Sequence, residues 1–275
     1  MNQFFTLLKD NLAHALKSKK TVIFVILYVA VFGLIVHGIL EAQHYLLEQI
    51  ALQGGMDPEL YRQTYNFLFD MLQIQSNAIV QKMATVPLYS IELFAVTIVG
   101  TPLLILLIYY DKLAQEQADG TFRYFLFRTG RSQLYWAKYA SMVIEIALLT
   151  LIATLLAVLY GHYSLSFFQT SEVLRASLTY WLTGLTPLIT FASMVFMFSA
   201  LVRQPFLALL LSVATLIGSA ILLAWLPQLS PFYLEYWKGF FLPGTDLLLK
   251  SIFIYLIFTL ACSLIGFFIF RRRNL

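Results

Sequence analysis

Residues 88–110 read LYSIELFAVTIVGTPLLILLIYY, an apolar run of the length that a lipid bilayer requires. A transmembrane helix needs about 20 mostly apolar residues, whereas a transmembrane strand alternates polar and apolar residues over about ten positions. Within the run, Leu103–Ile108 does not alternate, and apolar residues cover every face of a helix drawn through it. The run therefore predicts a membrane-spanning helix.

Five further runs share this character, which brings the predicted number of transmembrane helices to six. They are Thr21–Leu40, Tyr139–Tyr160, Ser177–Val202, Phe206–Leu226 and Leu247–Phe270. Of the 275 residues, 60% are apolar and 12% are charged, whereas a soluble domain has about 45–50% and 25%. A core of this size cannot hide so much apolar surface from water. The composition excludes an ordinary soluble enzyme and predicts an all-α, polytopic membrane protein.

The basic residues predict the orientation of the chain. One set of connections holds 13 of the 18 Lys and Arg residues, and basic loops face the cytoplasm. This set is Lys9, Lys17, Lys19, Lys20, Lys112, Arg123, Arg128, Arg131, Lys138, Arg203, Arg271, Arg272 and Arg273. Both termini are then cytoplasmic, in agreement with an even number of spans. The net charge of +4 reflects this inner face and does not indicate a nucleic-acid partner.

Residues 1–20 predict an amphipathic helix that lies under the membrane, ahead of a transmembrane domain over residues 21–275. Its apolar face holds Phe4, Phe5, Leu8, Leu12, Ala15 and Leu16, with lysines on the other face. A frayed tail is the alternative. A cleaved signal peptide is excluded because the following apolar run is too long and no small-x-small site follows it.

Residues 41–87 form a long external insert with an acidic balance. Apolar residues recur in it at helical spacing on both sides of Gly54-Gly55-Met56-Asp57-Pro58, where Asp57 can cap a second helix and Pro58 can open it. The pattern predicts a helical hairpin between the first two spans. It could bind a periplasmic partner or shape an exit, or it could pack only on itself.

Residues 111–138 form the second long connection, on the cytoplasmic side. The segment begins with acidic residues, turns at Gly120, and continues with Thr121, which can cap a short helix. That helix would present the aromatic residues Phe122, Tyr124, Phe125 and Phe127. The residues alone leave two alternatives open: a knob that fits a groove of another protein, or a helix with its aromatic side chains in lipid.

The same segment resembles the cytoplasmic motif of ABC-2 type transport permeases, the membrane subunits of one class of ABC exporter. The matching positions are Asp111, Glu116, Gly120, Thr121, Leu126, Arg131 and Lys138. Two departures are visible, because Thr129-Gly130 replaces the usual proline-containing turn and Ala137 precedes Lys138 where glycine is common. The six spans, the N-terminal helix and the cytoplasmic termini also fit the family.

The resemblance implies a coupling helix that docks on a separate ATPase subunit. The implied coupling residues are Asp111, Glu116, Gly120, Thr121, Phe122, Arg123, Arg131 and Lys138. It also implies a bacterial inner-membrane exporter with two ATPase copies and a second permease, identical or related. ATP and Mg²⁺ would bind the ATPase, since this chain has no phosphate-binding loop: its nearest string, Gly244–Ser251, has Leu249 where the second glycine must be.

Charged and metal-ligating residues in or near the spans are the other candidate sites. Glu145 lies inside the third span, where it could make a polar contact within the bundle, line a pathway, or be a carboxylate neutralised by a neighbour. His37, Glu41 and His44 share one helix face and could hold a metal ion, or they could be the polar stripe of a helix leaving the bilayer.

Two other functional classes are alternatives to a transport subunit. A non-transporting scaffold, or a mechanotransmitter whose external hairpin acts on a periplasmic partner, has the same membrane architecture. An intramembrane enzyme is disfavoured, because the sequence holds neither His-Glu-x-x-His nor Gly-x-Ser-x-Gly. The lone cysteine, Cys262, leaves no disulfide framework and no site built on several cysteines.

Overall fold

The structure, a computed structural model, describes residues 2–53, 87–120, 129–164, 170–225, 239–241 and 246–272. Within these ranges the regular structure is helical and no strand occurs, so the all-α prediction is confirmed. The helices are α1 (Asn2–Lys17), α2 (Lys19–Gln53), α3 (Leu88–Tyr109), α4 (Ala114–Ala118), α5 (Arg131–Ser164), α6 (Thr170–Leu201), α7 (Pro205–Trp225) and α8 (Asp246–Arg272).

Five helical stretches of the described chain are long and apolar enough to cross a membrane. They are Lys19–Glu41, Tyr89–Ala118, Arg131–Ser164, Thr170–Leu201 and Asp246–Arg272. They coincide with five of the six predicted spans and indicate a membrane protein. The remaining predicted span, Phe206–Leu226, lies on α7, whose described apolar part, Pro205–Thr215, is shorter. Six spans therefore stay a prediction.

Helix α6 lies at the centre of the bundle and packs against α3, α5, α7 and α8. About two thirds of its apolar stretch is buried, with Phe191, Val195 and Phe196 in the core. By contrast, less than a fifth of the corresponding stretches of α2 and α8 is buried. These two helices present large apolar side chains outward, such as Leu34 and Phe253, a surface suited to lipid rather than water.

Hydroxyl groups join α6 to its neighbours inside the apolar core. In a membrane, apolar side chains are solvated by lipid as well as by one another, so the hydrophobic effect does not drive helices together. Hydrogen bonds between helices then help to hold the bundle together. The hydroxyl pairs are Ser177–Ser90, Ser193–Tyr139 and Thr190–Thr259, at 3.0, 2.6 and 2.7 Å, to α3, α5 and α8 respectively. Helices α3, α5 and α8 are therefore each tied to α6 at a defined register.

The predicted N-terminal helix is present as α1, and it packs against α5. Leu7, which the predicted apolar face left out, is buried, whereas Phe5 of that face is exposed. A position under the membrane stays a prediction.

The predicted external hairpin is described only in its first arm. Helix α2 continues past the apolar stretch to Gln53, as the pattern indicated. The turn at Gly54–Pro58 and the returning helix lie outside the described residues.

Candidate functional site

The chain between α3 and α5 turns sharply before and after the five-residue helix α4. The amide of Gln115 donates to the carbonyl of Asp111 at 2.9 Å, and the amide of Asp119 donates to the carbonyl of Gln115 at 2.9 Å. Gly120 then has φ +69°, a left-handed conformation that glycine adopts without strain and that commonly ends a helix. The turn predicted at Gly120 is therefore present.

Glu116 and Lys138, two separate positions of the motif, are bound to each other. The ammonium of Lys138 lies 2.6 Å from Oε1 of Glu116 and 3.2 Å from the amide oxygen of Asn11. Lys138 is 2% exposed, and a buried charge needs polar partners such as these two oxygen atoms. Oε2 of Glu116 is buried and has no hydrogen-bond partner among the described residues. The pair joins α4 to α5 and, through Asn11, to α1.

Asp111, the first acidic position of the motif, binds Lys20 at the start of α2. The ammonium lies 2.5 Å from Oδ2 of Asp111, and it also lies 4.2 Å from the centre of the Tyr110 ring. A cation over an aromatic face is attracted to the ring's negative surface. This contact ties the segment to the first long helix.

Glu145, the predicted polar residue of the third span, is neutralised by partners at the end of α3. Its carboxylate accepts from the Tyr109 hydroxyl at 2.9 Å and from the Lys112 ammonium at 3.0 and 3.2 Å. Two of the roles predicted for Glu145, a polar contact within the bundle and a carboxylate neutralised by a neighbour, fit this geometry. A role on a pathway stays a prediction.

Ser199 of α6 holds the start of α4 by hydrogen bonds that no local pattern indicates. Its buried hydroxyl oxygen accepts from the amides of Leu113 and Ala114, at 2.9 and 3.1 Å. Leu113 occupies the capping position of α4 and makes no side-chain cap of its own. The first amides of a helix lack partners within it, and a distant serine supplies one here. Sequence reasoning missed Ser199 because it lies inside an apolar run.

The other predicted coupling residues are accounted for in part. Arg131 donates from Nη1 to the carbonyl of Arg271 at 2.9 Å, which joins the start of α5 to the end of α8. Thr121, Phe122 and Arg123 lie outside the described residues.

The predicted metal ligands lie on one continuous helix, α2. Nδ1 of His37 lies 3.0 Å from the Tyr160 hydroxyl, and Glu41 is exposed. The side chain of His44 lies outside the described part. Among the side chains that are described, no three potential ligands come together.

Taken together, the segment from Tyr109 to Gly120 is bound directly to α2, α5 and α6, and Asn11 of α1 bonds Lys138, the partner of Glu116. Three lysines pair with three carboxylates there, so the cluster is neutral overall. Most of these groups are shielded from water. Removing one member of a buried ion pair leaves the charge of the other member uncompensated. The arrangement therefore holds a short connecting segment against α2, α5 and α6 at once.

Comparison with known proteins identifies one family. The model described as "Protein of unknown function (DUF2705)" matches residues 66–275, about three quarters of the chain. The matched range contains α3–α8 and the carboxylates of the site, whereas Asn11 and Lys20 lie before it. No curated protein matches the chain.

Proposed function

We propose that this chain, which belongs to the DUF2705 family of proteins of unknown function, is the permease subunit of an ABC-2 type exporter. It works in the inner membrane of a bacterium, with both termini in the cytoplasm. A separate ATPase subunit, present in two copies, binds ATP and Mg²⁺. A second permease, identical or related, completes the pathway.

The observation that carries the proposal is the way the motif segment is held. Asp111 and Glu116, two positions of the resemblance, bind Lys20 and Lys138 on other helices, and Ser199 binds the backbone between them. A connection that only joins two spans needs no such contacts. A coupling segment must transmit the movement of its partner to the transmembrane helices. Ion pairs with a buried member suit that role, because they fix the segment to those helices.

The architecture supports the same proposal. Helix α7 has 21 residues, about 31 Å at 1.5 Å per residue, which matches the hydrocarbon thickness of a bilayer. Counted as a span, it gives six crossings and places both termini on one side. The basic residues of that side, among them Lys17, Arg203 and Arg271, favour the cytoplasm.

A mechanotransmitter or scaffold is the second candidate, and the length of α2 favours it. The helix has 35 residues, about 52 Å, and a bilayer core takes up about 30 Å. An arm of this length reaches well beyond the membrane, where it could act on a periplasmic partner. This role is compatible with an ATPase but needs no transported substrate.

The test is co-purification with the ATPase encoded by a neighbouring reading frame. The wild-type chain should retain the ATPase subunit in detergent, whereas Glu116→Arg and Gly120→Pro should lower its recovery or its ATP turnover by about tenfold. Glu41→Arg, a charge reversal on an exposed glutamate of α2, is the matched control and should behave as wild type. The milder Glu116→Gln separates loss of coupling from loss of folding, because it keeps the shape of the side chain.

Two results would decide against the exporter. The coupling claim fails if no ATPase subunit copurifies, or if Glu116→Arg and Gly120→Pro leave recovery and turnover intact. If the ATPase is retained but no substrate is moved, the mechanotransmitter is favoured instead.

A further inference from the structure

The last turn of α8 presents two arginines on the surface. Arg271 and Arg272 are exposed, and no carboxylate of the described chain forms an ion pair with either. The three carboxylates of the candidate site are bound to lysines instead. Residues 247–275 contain neither Asp nor Glu, so the local sequence supplies no acid. This end of α8 is therefore basic, and the ion pairs that are described do not neutralise it.

The packing of α6 against α8 brings a third exposed arginine to the same level. Two contacts between these helices join residues 69 positions apart, and they are the hydroxyl pair Thr190–Thr259 and the approach of Met197 to Gly266. A constant offset means that the two helices run parallel. The same offset places Arg203, two residues past the end of α6, at the level of Arg272. We refer to Arg203, Arg271 and Arg272 as the arginine cluster.

The start of α5 lies at the same end of the bundle. Arg131 donates to the carbonyl of Arg271 at 2.9 Å, so a further guanidinium group is fixed beside the arginine cluster. Axes of packed helices are about 8–10 Å apart. Cationic groups of three chain segments therefore converge on a patch that one ligand of ordinary size can cover.

An exposed apolar stripe of α8 leads to the arginine cluster. Leu260, Leu264 and Phe268 are exposed and recur every four residues, and Arg271 continues the same face three residues later. From Leu260 to Arg271 the helix rises about 16 Å, and half of a bilayer's hydrocarbon core is about 15 Å thick. The stripe therefore has the length of a lipid acyl chain, and the cationic groups lie at the depth of the headgroup.

The chemistry of the arginine cluster favours a phosphodiester with a net negative charge. The planar N–H fork of a guanidinium group matches two phosphate oxygens, whereas a lysine acts only as a point charge. Basic patches beside transmembrane helices bind anionic lipid headgroups. A zwitterionic headgroup carries a cation next to its phosphate, and like charges of the arginines repel that cation. The arrangement therefore distinguishes anionic from zwitterionic lipids.

We propose that the arginine cluster and the apolar stripe of α8 bind an anionic phospholipid, with its phosphate at the arginines and an acyl chain along the stripe. The bound headgroup joins the end of α6 to the end of α8, where the positive charges otherwise repel each other. This site goes beyond the proposed exporter function and requires neither an ATPase nor a cargo.

The test is native mass spectrometry of the full chain, released from micelles that hold equal amounts of phosphatidylglycerol and phosphatidylcholine. The wild-type chain should retain phosphatidylglycerol with a preference of about tenfold. The double variant Arg203→Gln/Arg272→Gln should lower this retention by about tenfold, because two charge-assisted contacts are removed. The matched control is Lys9→Gln/Lys17→Gln, which removes two exposed cations of α1 from the same predicted face. It should change retention by less than about twofold.

Two further arms distinguish a lipid from a soluble phosphate compound. Phe268→Ala interrupts the apolar stripe and should lower retention by about threefold. Phe253→Ala, at an exposed phenylalanine that precedes the stripe on the same helix, should leave retention unchanged. Glycerophosphoglycerol, the same headgroup without acyl chains, should not displace the lipid when added in excess.

Four results would overturn the inference. Equal retention of the two lipids by the wild-type chain means that the site does not select charge, and equal loss in both double variants means diffuse attraction. Displacement by glycerophosphoglycerol assigns the arginines to a soluble phosphate compound. Unchanged lipid retention in Arg203→Gln/Arg272→Gln, with lowered recovery of the ATPase, assigns them to a protein partner.

A loss of folding is recognised separately from a loss of the lipid site. The unfolding midpoint of each variant in lipid-free micelles should equal that of the wild-type chain, since the substituted side chains are exposed. Added phosphatidylglycerol should raise the midpoint of the wild-type chain and not that of Arg203→Gln/Arg272→Gln. The proposed exporter function is judged by co-purification of the ATPase, so the two proposals can fail independently.

Discussion

Gly120 ends α4 with φ +69°, and the position of a Cβ there faces open space. Replacement by alanine would therefore introduce backbone strain without any steric clash. Gly120→Ala should lower the free energy of unfolding by about 1 kcal/mol, the cost of a left-handed conformation for a residue with a side chain. Thermal unfolding in detergent measures the change.

Gly130→Ala is the control for Gly120→Ala. A Cβ atom on Gly130 would also face open space, and the φ angle of Gly130 does not fall in the left-handed region. It should leave the midpoint of unfolding unchanged or slightly raised. Equal destabilisation by both substitutions would show that the conformation of Gly120 is not the reason for its glycine.

The sequence indicates residues of the candidate site, but it does not indicate which residues they contact. The resemblance indicated Asp111, Glu116 and Lys138, and their positions in the structure put two of them in direct contact. The sequence places Lys20 on the predicted inner face, but it does not indicate Asp111, 91 residues away, as its partner. A pairing across that distance depends on how the helices pack, which no local pattern contains.

The short helix α4 depends on its surroundings more than on its own sequence. Isolated helices of five residues are unstable in water because nucleation is costly. Here the missing bonds at its start are supplied by Ser199, and Lys138 binds its Glu116. The helix is thus a product of the bundle against which it lies.

The contact of α8 with α5 and α6 can be tested by substitution of a glycine. A Cβ on Gly266 would lie 2.6 Å from the Tyr135 hydroxyl and 3.2 Å from Cα of Met197. The hydroxyl is bonded to the carbonyl of Ser263, and the Met197 backbone belongs to α6, so neither neighbour moves freely. Gly266→Ala should destabilise the protein by about 1–3 kcal/mol, as overpacking of a core does.

Gly33→Ala, on α2, is the control for Gly266→Ala. Nothing lies within 4 Å of its Cβ position, so the better helix propensity of alanine should leave stability equal or raised by up to about 1 kcal/mol. Chemical unfolding in micelles compares the two variants. A harmless Gly266→Ala would mean that α8 is not packed as closely as described.

The apolar surface of the described chain is distributed differently from that of a soluble protein. Of the five helical stretches of membrane length, those of α2 and α8 are the least buried, although they are strongly apolar. Leu34 and Leu249 are 71% and 67% exposed, whereas the hydroxyl groups of Ser193 and Ser199 are buried on α6. Lipid solvates the first set, and hydrogen bonds between helices satisfy the second. This distribution supports the proposed membrane location.

The proposed sixth span predicts the outcome of a topology experiment. A periplasm-dependent phosphatase fused after Arg203 should be inactive, and the same enzyme fused after Leu229 should be active, because α7 would carry it across. A fusion at the C-terminus should again be inactive, and a fluorescent protein there should fluoresce. Enzyme activities normalised to expression give the measurement.

Equal activity of the fusions after Arg203 and Leu229 would contradict a crossing by α7. A fusion within residues 165–169 serves as a positive control, since those residues follow the long apolar helix α5. High activity at the C-terminus would reverse the orientation drawn from the basic residues.

The helical class, five of the membrane-length helices and the turn at Gly120 follow from the sequence alone. These features are local: a transmembrane helix satisfies its own backbone and needs only a sufficient apolar run, and a left-handed turn needs only a glycine. The tertiary structure alone decided that α6 is central, that Glu145 binds Lys112, and that Ser199 holds a segment 86 residues away. The physical reason is that apolar spans are interchangeable in composition, so which helices touch depends on small residues, hydroxyls and charges that act only once the helices are packed.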